Sequence, residues 1–368
     1  MRQASDAVGC SADELDTPVL CIDLDRLQRN IQRYSQSCRQ RGMQWRPHAK
    51  GHQSPEIARR QIEAGALGIT CAKIAEAEVM AAAGVRDILI ANQLAGPHKM
   101  RRLAALRAIC DPIVTVDHRD QVDAIEAAMK QSGQTLRAII EVDIGLQRAG
   151  VPQVEQTLEL TRYVADQSSL LFVGIMGYEG HLLTLPDQQE KSRRVAEALD
   201  LLQDCRRQIE NTGLECSIVS AGGTGSYHFS IEHPAVTELQ AGGWVFMDAF
   251  YRHVCQIDEF ENALTVIATV VGRPARDRAI IDAGRKSVNG DLHAPLVVGR
   301  PGATVDRLSA EHGWLQLADE AQSLKIGDRV ELIPGYGDFT CVLYDGYHVL
   351  RNRQVAAFWP ISTRRRSL

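Results

Sequence analysis

The sequence predicts an α/β fold: a closed (β/α)8 barrel of the TIM type, followed by an all-β domain. Three observations predict it. Between residues 43 and 240, short β-rich runs alternate with longer helix-like stretches. There are eight such runs, the number a closed barrel of about 200–250 residues requires. Beyond about residue 255 the helical pattern stops, and short strands follow one another between Gly, Asp and Asn turns.

The eight runs are MQWRPH (43–48), GITC (68–71), DILIA (87–91), PIVTVD (112–117), LRAIIEVD (136–143), LFVGIMG (171–177), CSIVSAG (216–222) and AVTELQ (235–240). Most intervals read as helix. SPEIARRQIEAG (54–65) opens on a Ser-Pro start signal and closes at glycine, and the Ala/Glu-rich AKIAEAEVMAAAG (72–84) also closes at glycine. The longest, 186–213, also ends at glycine, whereas the interval after 222 is short and Gly-rich. An open doubly wound sheet is the competing architecture. It needs a GxGxxG turn after its first strand, and none follows residue 48. Before the barrel, TPVLCID (17–23) reads as a strand. A helix then carries Leu24, Leu27, Ile31, Tyr34 and Cys38 on one apolar stripe. After it, ALTVIATVVGR, RAIIDAG, WLQLA, DRVELIPG and CVLYDGYHVLRNRQVAAFWPI read as strands, the last containing a hairpin that turns at Asn352. The expected domains are a barrel over 24–255 and a β-domain over 256–368 that takes in the N-terminal strand, residues 1–23.

Composition excludes several classes. With 45% hydrophobic and 24% charged residues, the 368-residue chain is ordinary globular material, and a net charge of −5 gives no field suited to nucleic acid. Arg364-Arg365-Arg366 reads as a solvated tail. The nine cysteines form no CxxC pair, and Cys21, Cys71 and Cys216 sit in apolar runs as small core residues, so a reducing compartment is expected. No run approaches the roughly 18 apolar residues of a membrane helix, and the N-terminus lacks the apolar region of a signal peptide. A cytoplasmic protein without membrane or nucleic-acid partners is expected.

Barrel active sites lie at the C-terminal ends of the strands. There the sequence places Lys50 after the first run and Arg148 after the fifth. Tyr178 and His181 follow the sixth, Ser220, Gly222, Gly223 and Thr224 the seventh, and Gly242 and Gly243 the eighth. Successive glycine loops after strands seven and eight suit a phosphate, because backbone N–H groups must approach the anion closely. A lysine amine across the mouth from such a cradle suits a phosphate-bearing aldehyde held as an imine, and pyridoxal 5′-phosphate has that chemistry. A neighbouring cation, Arg46 or a protonated His48 or His52, would help lower the amine's pKa.

The motifs TPVLCIDLDRLQRNI, RPHAKGH, EVDIGLQRAGV, SAGGTGS, ELQAGGWVFMD, IIDAGRKS, LSAEHG and LYDGYHVLRNRQVAAFWPI span nearly the whole chain. With them the sequence resembles the fold-type III pyridoxal phosphate enzymes, in the branch of D-threonine aldolase and D-serine dehydratase. The resemblance implies an alanine-racemase-like barrel, a β-domain and a homodimer with active sites near the interface. It also implies a Schiff-base role for Lys50, Arg148 near the phenolic oxygen, Tyr178 near the ring nitrogen, and Ser220, Gly222, Gly223, Thr224, Gly242 and Gly243 at the phosphate. His181 is expected among the cofactor-binding residues, and His52 is a candidate catalytic residue beside Lys50.

One position departs from the family. Where relatives carry a metal-binding histidine this chain has Tyr336, two residues before Asp338, the family's second ligand position. Tyrosine, with a pKa near 10, is a poor divalent ligand at neutral pH. The divalent metal is therefore expected to be absent or altered, with His312 and His348 as substitute ligands or structural residues, and Tyr336 becomes a candidate acid/base. Three functions follow from the resemblance: a lyase that cleaves or dehydrates D-β-hydroxy-α-amino acids, a metal-independent racemase or epimerase using Lys50 and Tyr336, and a non-catalytic cofactor carrier, against which the long β-domain argues.

Overall fold

A computed structural model describes residues 7–364. They form two compact units, one of residues 34–242 and one combining 7–33 with 243–364. The boundaries thus fall inside the first long helix and at the glycine pair 242–243, where the sequence suggested 24 and 255.

The chain enters through β1 (Val19–Asp23) and α1 (Leu24–Gln40). Every residue of the predicted stripe on α1, from Leu24 to Cys38, is buried. All eight barrel strands are present: β2 (Gln44–Trp45), β3 (Ile69–Cys71), β4 (Asp87–Gln93), β5 (Asp111–Val116), β6 (Leu136–Glu141), β7 (Leu170–Met176), β8 (Ile218–Ala221) and β9 (Glu238–Leu239). They pair in parallel in the order β2-β9-β8-β7-β6-β5-β4-β3. The ring closes between the chain after β2 and β3. Thr70 N–H donates to the Pro47 carbonyl at 3.0 Å and Ala49 N–H to the Thr70 carbonyl at 2.8 Å, around a parallel bridge between His48 and Thr70.

The helix punctuation acts as the sequence predicted. In α2 (Pro55–Glu63), Pro55 sits in the first turn, where its missing N–H costs nothing, and Gly65 leaves the helix at φ +110°. Gly84 and Gly213, also at positive φ, follow α3 (Ile74–Ala82) and α7 (Gln188–Glu210). α4 (Pro97–Arg107), α5 (Arg119–Ser132) and α6 (Val154–Ala165) complete the long crossovers. The short interval before β9 holds only α8 (Tyr227–Ser230). Leu89, Ile113, Ile139 and Met176, from four neighbouring strands, pack as one cluster.

The other unit is a mixed nine-stranded sheet. β10 (Leu264–Ala275) pairs with β11 (Arg278–Ile281) and with β15 (Arg329–Ile333), and antiparallel with β1. β12 (Leu296–Val297) pairs with β15, and β13 (Ala303–Leu308) pairs with β14 (Gly313–Leu317); sequence reading found neither β12 nor β13. The hairpin of β16 (Gly346–Arg351) and β17 (Gln354–Pro360) turns at Asn352 and Arg353, both at positive φ, the turn that matches strand twist. The expected strand at CVLYD is instead the end of α9 (Gly337–Cys341) and a turn. Its apolar run serves a helix, and short apolar runs do not distinguish the two. All nine cysteines are free, Cys21, Cys71 and Cys216 among the buried ones. Arg364 pairs with Asp345 and is not a loose tail; Arg365 and Arg366 lie outside the described residues. Among the described residues, no helix is long and apolar enough to cross a membrane.

One charge cluster supports the barrel beneath its first strand. Arg46, 2% exposed, pairs with the equally buried Glu238 at 3.3 Å and with Asp87. Removing one partner of such a pair strands the other charge in the interior. Arg46→Met should lower the unfolding free energy by about 3–5 kcal/mol, read from urea denaturation of the apoprotein.

Candidate active site

Lys50 stands just past β2, exposed, with its backbone N–H directed to His48 Nδ1 at 3.3 Å and its carbonyl accepting from Gln53 Nε2 at 3.2 Å. His48 is held well below its ordinary pKa, by burial first and then by the neighbouring Lys50, His52 and Arg148, so it is neutral at pH 7. The same ranking shows that the Lys50 and Arg148 charges act on one ring. A cation expected from His48 is therefore not there. His52 gives none either: it is 1% exposed, its Nδ1 accepts the Ser54 N–H at 3.1 Å at the start of α2, and burial depresses its pKa to about 4. It is an interior residue that fixes the turn after Lys50, not a group at the barrel mouth. Arg46 is consumed by its carboxylates.

Arg148 is presented by a tightly specified loop. After β6, Val142 and Val151 pair as a bridge, and Asp143 accepts the N–H groups of Gly145 and Gln147 at 3.0 Å each. Gly150 lies at φ +105°, where a Cβ would stand 2.6 Å from the Asp143 nitrogen, so only glycine fits. The guanidinium then lies 5.6 Å over the Tyr178 ring and 3.5 Å from Glu141, a buried carboxyl that burial shifts upward in pKa and that also accepts from Gln93. His181, exposed, sets its ring against Gly145 on the same loop. Arg148, Tyr178 and His181 are thus brought together.

Tyr178 also borders the glycine loop. A Cβ on Gly223 would fall 2.8 Å from its ring, and one on Gly180 would fall 2.4 Å from it. Gly222 adopts φ +85°, and Thr224 is buried in the same loop. In the loop after β9, a Cβ on Gly242 would stand 2.2 Å from the His48 carbonyl oxygen. Gly243 begins the other unit, against the Tyr251 ring. Among the described residues, the N–H groups of Gly222 and Gly242 have no protein acceptor. Ser220 departs from expectation. Its hydroxyl donates to Glu238 at 2.8 Å and accepts from Gln240 at 2.9 Å, so it is engaged within the ring of strands and is not a phosphate donor. Sequence reading also passed over Glu179, which lies wholly buried behind this loop.

In the other unit, Tyr336 donates its hydroxyl to Asp338 Oδ2 at 3.2 Å and packs against Phe250, Tyr251 and Phe339. Asp248, buried and pushed up to about 7 by burial first, accepts the Tyr251 and Gly337 N–H groups at 2.9 and 2.8 Å and so fixes the turn carrying Tyr336. His312 lies in the exposed β13–β14 turn, and His348 packs on Phe358 in the β16–β17 hairpin. Among the described residues no three His, Cys, Asp or Glu side chains converge as metal ligands would. A phenol bonded to a single carboxylate does not fit a divalent ion.

Residues 22–249 match the family described as alanine racemase, N-terminal domain, more than half of the chain. The chain belongs to that family. Residues 263–350 match the putative serine dehydratase domain. The chain is 35% identical to the D-threonine aldolase of an Arthrobacter species, over 95% of this chain and 93% of that protein. It is 33% identical to the 3-hydroxy-D-aspartate aldolase of Paracoccus denitrificans, over 97% and 94%. The crystal structure of D-threonine aldolase from Filomicrobium marinum is similar with a TM-score of 0.94 at 34% identity, covering 97% of this chain and 98% of that one.

The family implies pyridoxal phosphate, and the residues present fit it: a lysine amine, an arginine over a tyrosine ring, and glycines whose unpaired N–H groups line a cradle that side chains would fill. The depressed histidine has a measurable consequence. His52, near 6.5 when unfolded and about 4 when folded, makes the unfolded state bind more protons between those values. Its contribution to stability is complete above about pH 6.5 and is lost as pH falls through 4. The drop in unfolding free energy over that range should be smaller in His52→Asn than in the unmodified protein, by up to about 3 kcal/mol for this roughly 2.5-unit shift; equal slopes would place the proton elsewhere.

Proposed function

We propose that this chain is a pyridoxal-phosphate-dependent lyase acting on D-β-hydroxy-α-amino acids, releasing glycine or a substituted glycine and an aldehyde, with dehydration of the same substrates as its close variant. The observation that carries the reading is the combination of near full-length similarity to aldolases of such acids with a lysine at the end of the first barrel strand and a glycine cradle on the same barrel. The protein acts as a homodimer in the cytoplasm under this reading.

When bound, the cofactor supplies an electron sink for a bond at the substrate's Cα. The chain's residues do the rest. Lys50 attaches the cofactor through its amine and, once released, moves a proton at Cα. The Gly222–Thr224 loop and Gly242 hold the phosphate, with the Gly222 and Gly242 N–H groups as backbone donors. Arg148 orients the phenolic side of the ring, with Glu141 limiting its motion, and His181 closes the edge. Tyr178 would face the ring nitrogen, where a phenol would be a poor partner for a full pyridinium cation. Tyr336 and Asp338 form a proton path. The phenol takes the β-hydroxyl proton while passing its own to the carboxylate, which serves cleavage, and the reverse transfer serves loss of water. A racemase would also use Lys50 with Tyr336, and the absence of the relatives' histidine at 336 favours that second reading.

Borohydride reduction of the holoprotein should fix the cofactor on the peptide carrying Lys50; a label on another lysine would sink that assignment.

The products decide between readings. Incubation with D- and L-β-hydroxy amino acids should release aldehyde, or keto acid, from the D series. Inversion at Cα with solvent deuterium and no aldehyde would establish a racemase. Tyr336→Phe should keep the cofactor and cut turnover by roughly 10²–10⁴, the usual contribution of a positioned proton-transfer group. EDTA should leave the unmodified protein active, and strong inhibition would contradict the proton path.

A further inference from the structure

Glu179 is fully buried, yet the mechanism gives it nothing to do. It follows Tyr178 directly, in the segment between β7 and α7. Its Oε1 accepts the Ser226 hydroxyl at 2.6 Å and the Ser230 hydroxyl at 2.8 Å. Ser226 Oγ in turn accepts the Gly223 N–H at 3.2 Å, while Ser226 N–H donates to the Gly223 carbonyl at 3.1 Å. One carboxylate oxygen is thereby linked, through one hydroxyl, to the backbone of the glycine loop. The second oxygen, Oε2, is buried with no hydrogen-bond partner. An interior carboxyl with one unsatisfied oxygen is costly, and an apolar side chain would serve packing better.

We propose that Glu179 is a positioning residue for the cofactor's phosphate: it holds residues 222–226 in the shape that presents their backbone donors to the anion. The inference rests on the reading that this loop binds the phosphate. Four features support it. The loop is held open at Gly222, φ +85°, a conformation with little intrinsic preference in a chain of ordinary residues. Its closing contact, Gly223 with Ser226, is the contact Glu179 anchors. The Tyr178 ring, next to Glu179 in the chain, lies against the same Gly223. Ser226 and Ser230, four residues apart on one turn at and within α8, both turn toward the carboxylate, so the loop and the helix that follows it share a single acceptor.

The test compares the affinity of the apoprotein for pyridoxal phosphate and for pyridoxal, measured by protein fluorescence, so that the ratio isolates the phosphate. The unmodified protein should prefer the phosphate ester strongly. Glu179→Ala and Ser226→Ala should each reduce that preference roughly tenfold, the effect of losing a hydrogen bond near a charged group. Pyridoxal affinity should be little changed, and circular dichroism should show intact folds. Glu179→Gln, which keeps an acceptor oxygen, should restore most of the preference. If Glu179→Ala does not fold, Ser226→Ala carries the test alone. An unmodified protein that binds both ligands equally would defeat the phosphate reading of the loop itself. A strong preference that survives Ser226→Ala, or an equal loss for both ligands, would overturn the role of Glu179 while leaving that reading intact.

Discussion

The barrel's seam is the constraint on which the site depends. First and last strands meet where His48 donates its N–H to the Gln240 carbonyl at 2.9 Å, and residue 242 passes so close to His48 that a Cβ would overlap its carbonyl oxygen. No L side chain survives that approach. The close seam keeps the turn carrying Lys50 on the same rim as the loop after β8. A bulky residue at 242 would push the chain after β9 away from the His48 carbonyl and so displace the loop from the turn that carries Lys50. Glycine at 242 therefore acts through distance, and its chemistry is the absence of a side chain.

Charge is rationed on that rim. Two histidines flank Lys50 in sequence, but burial keeps both neutral, and Arg46 is occupied by Glu238 and Asp87 at the other end of its strand. Lys50 and Arg148 stand exposed on the rim. Neutral histidines beside a lysine do not add like charge to it, while the buried His52 ring shapes the turn that follows it. The burial that sets their pKa also makes them structural, so residue type alone overstated their catalytic promise.

Much of the fold was legible because its signals are local. Short β-rich runs revealed the eight strands, Ser-Pro and glycine the helix ends, and Asn352 the hairpin. What escaped has physical reasons. Residues 341–345 are apolar enough for a strand but complete a helical turn, because α9 has begun at Gly337 under the Asp248 cap. β13 alternates weakly, and its register is set by β14. Around the candidate site, the positions of Lys50, Arg148, Tyr178 and the glycine loops after their strands were legible from the strand pattern. Hydroxyl allegiance was not: Ser220 and Ser226 look alike in sequence, yet one faces Glu238 inside the ring and the other faces Glu179 behind the loop. Only the partner across the fold distinguishes them.

Under the proposed reading, the Tyr336–Asp338 pair limits what chemistry this chain can share with its relatives. A phenol that donates to a carboxylate keeps its proton, because losing it would place two negative charges a hydrogen bond apart. It is therefore a poor stand-alone base. It can still transfer a proton in a concerted step, receiving one as it gives one, and then the carboxylate is the true acceptor. Such a path works in both directions and needs no change of net charge on the phenol. That suits a lyase, in which one hydroxyl proton must leave during cleavage or arrive during loss of water. It suits a racemase less well. There the second base must hold and return a proton at carbon, and a phenol tied to Asp338 would have to break that bond to reach it.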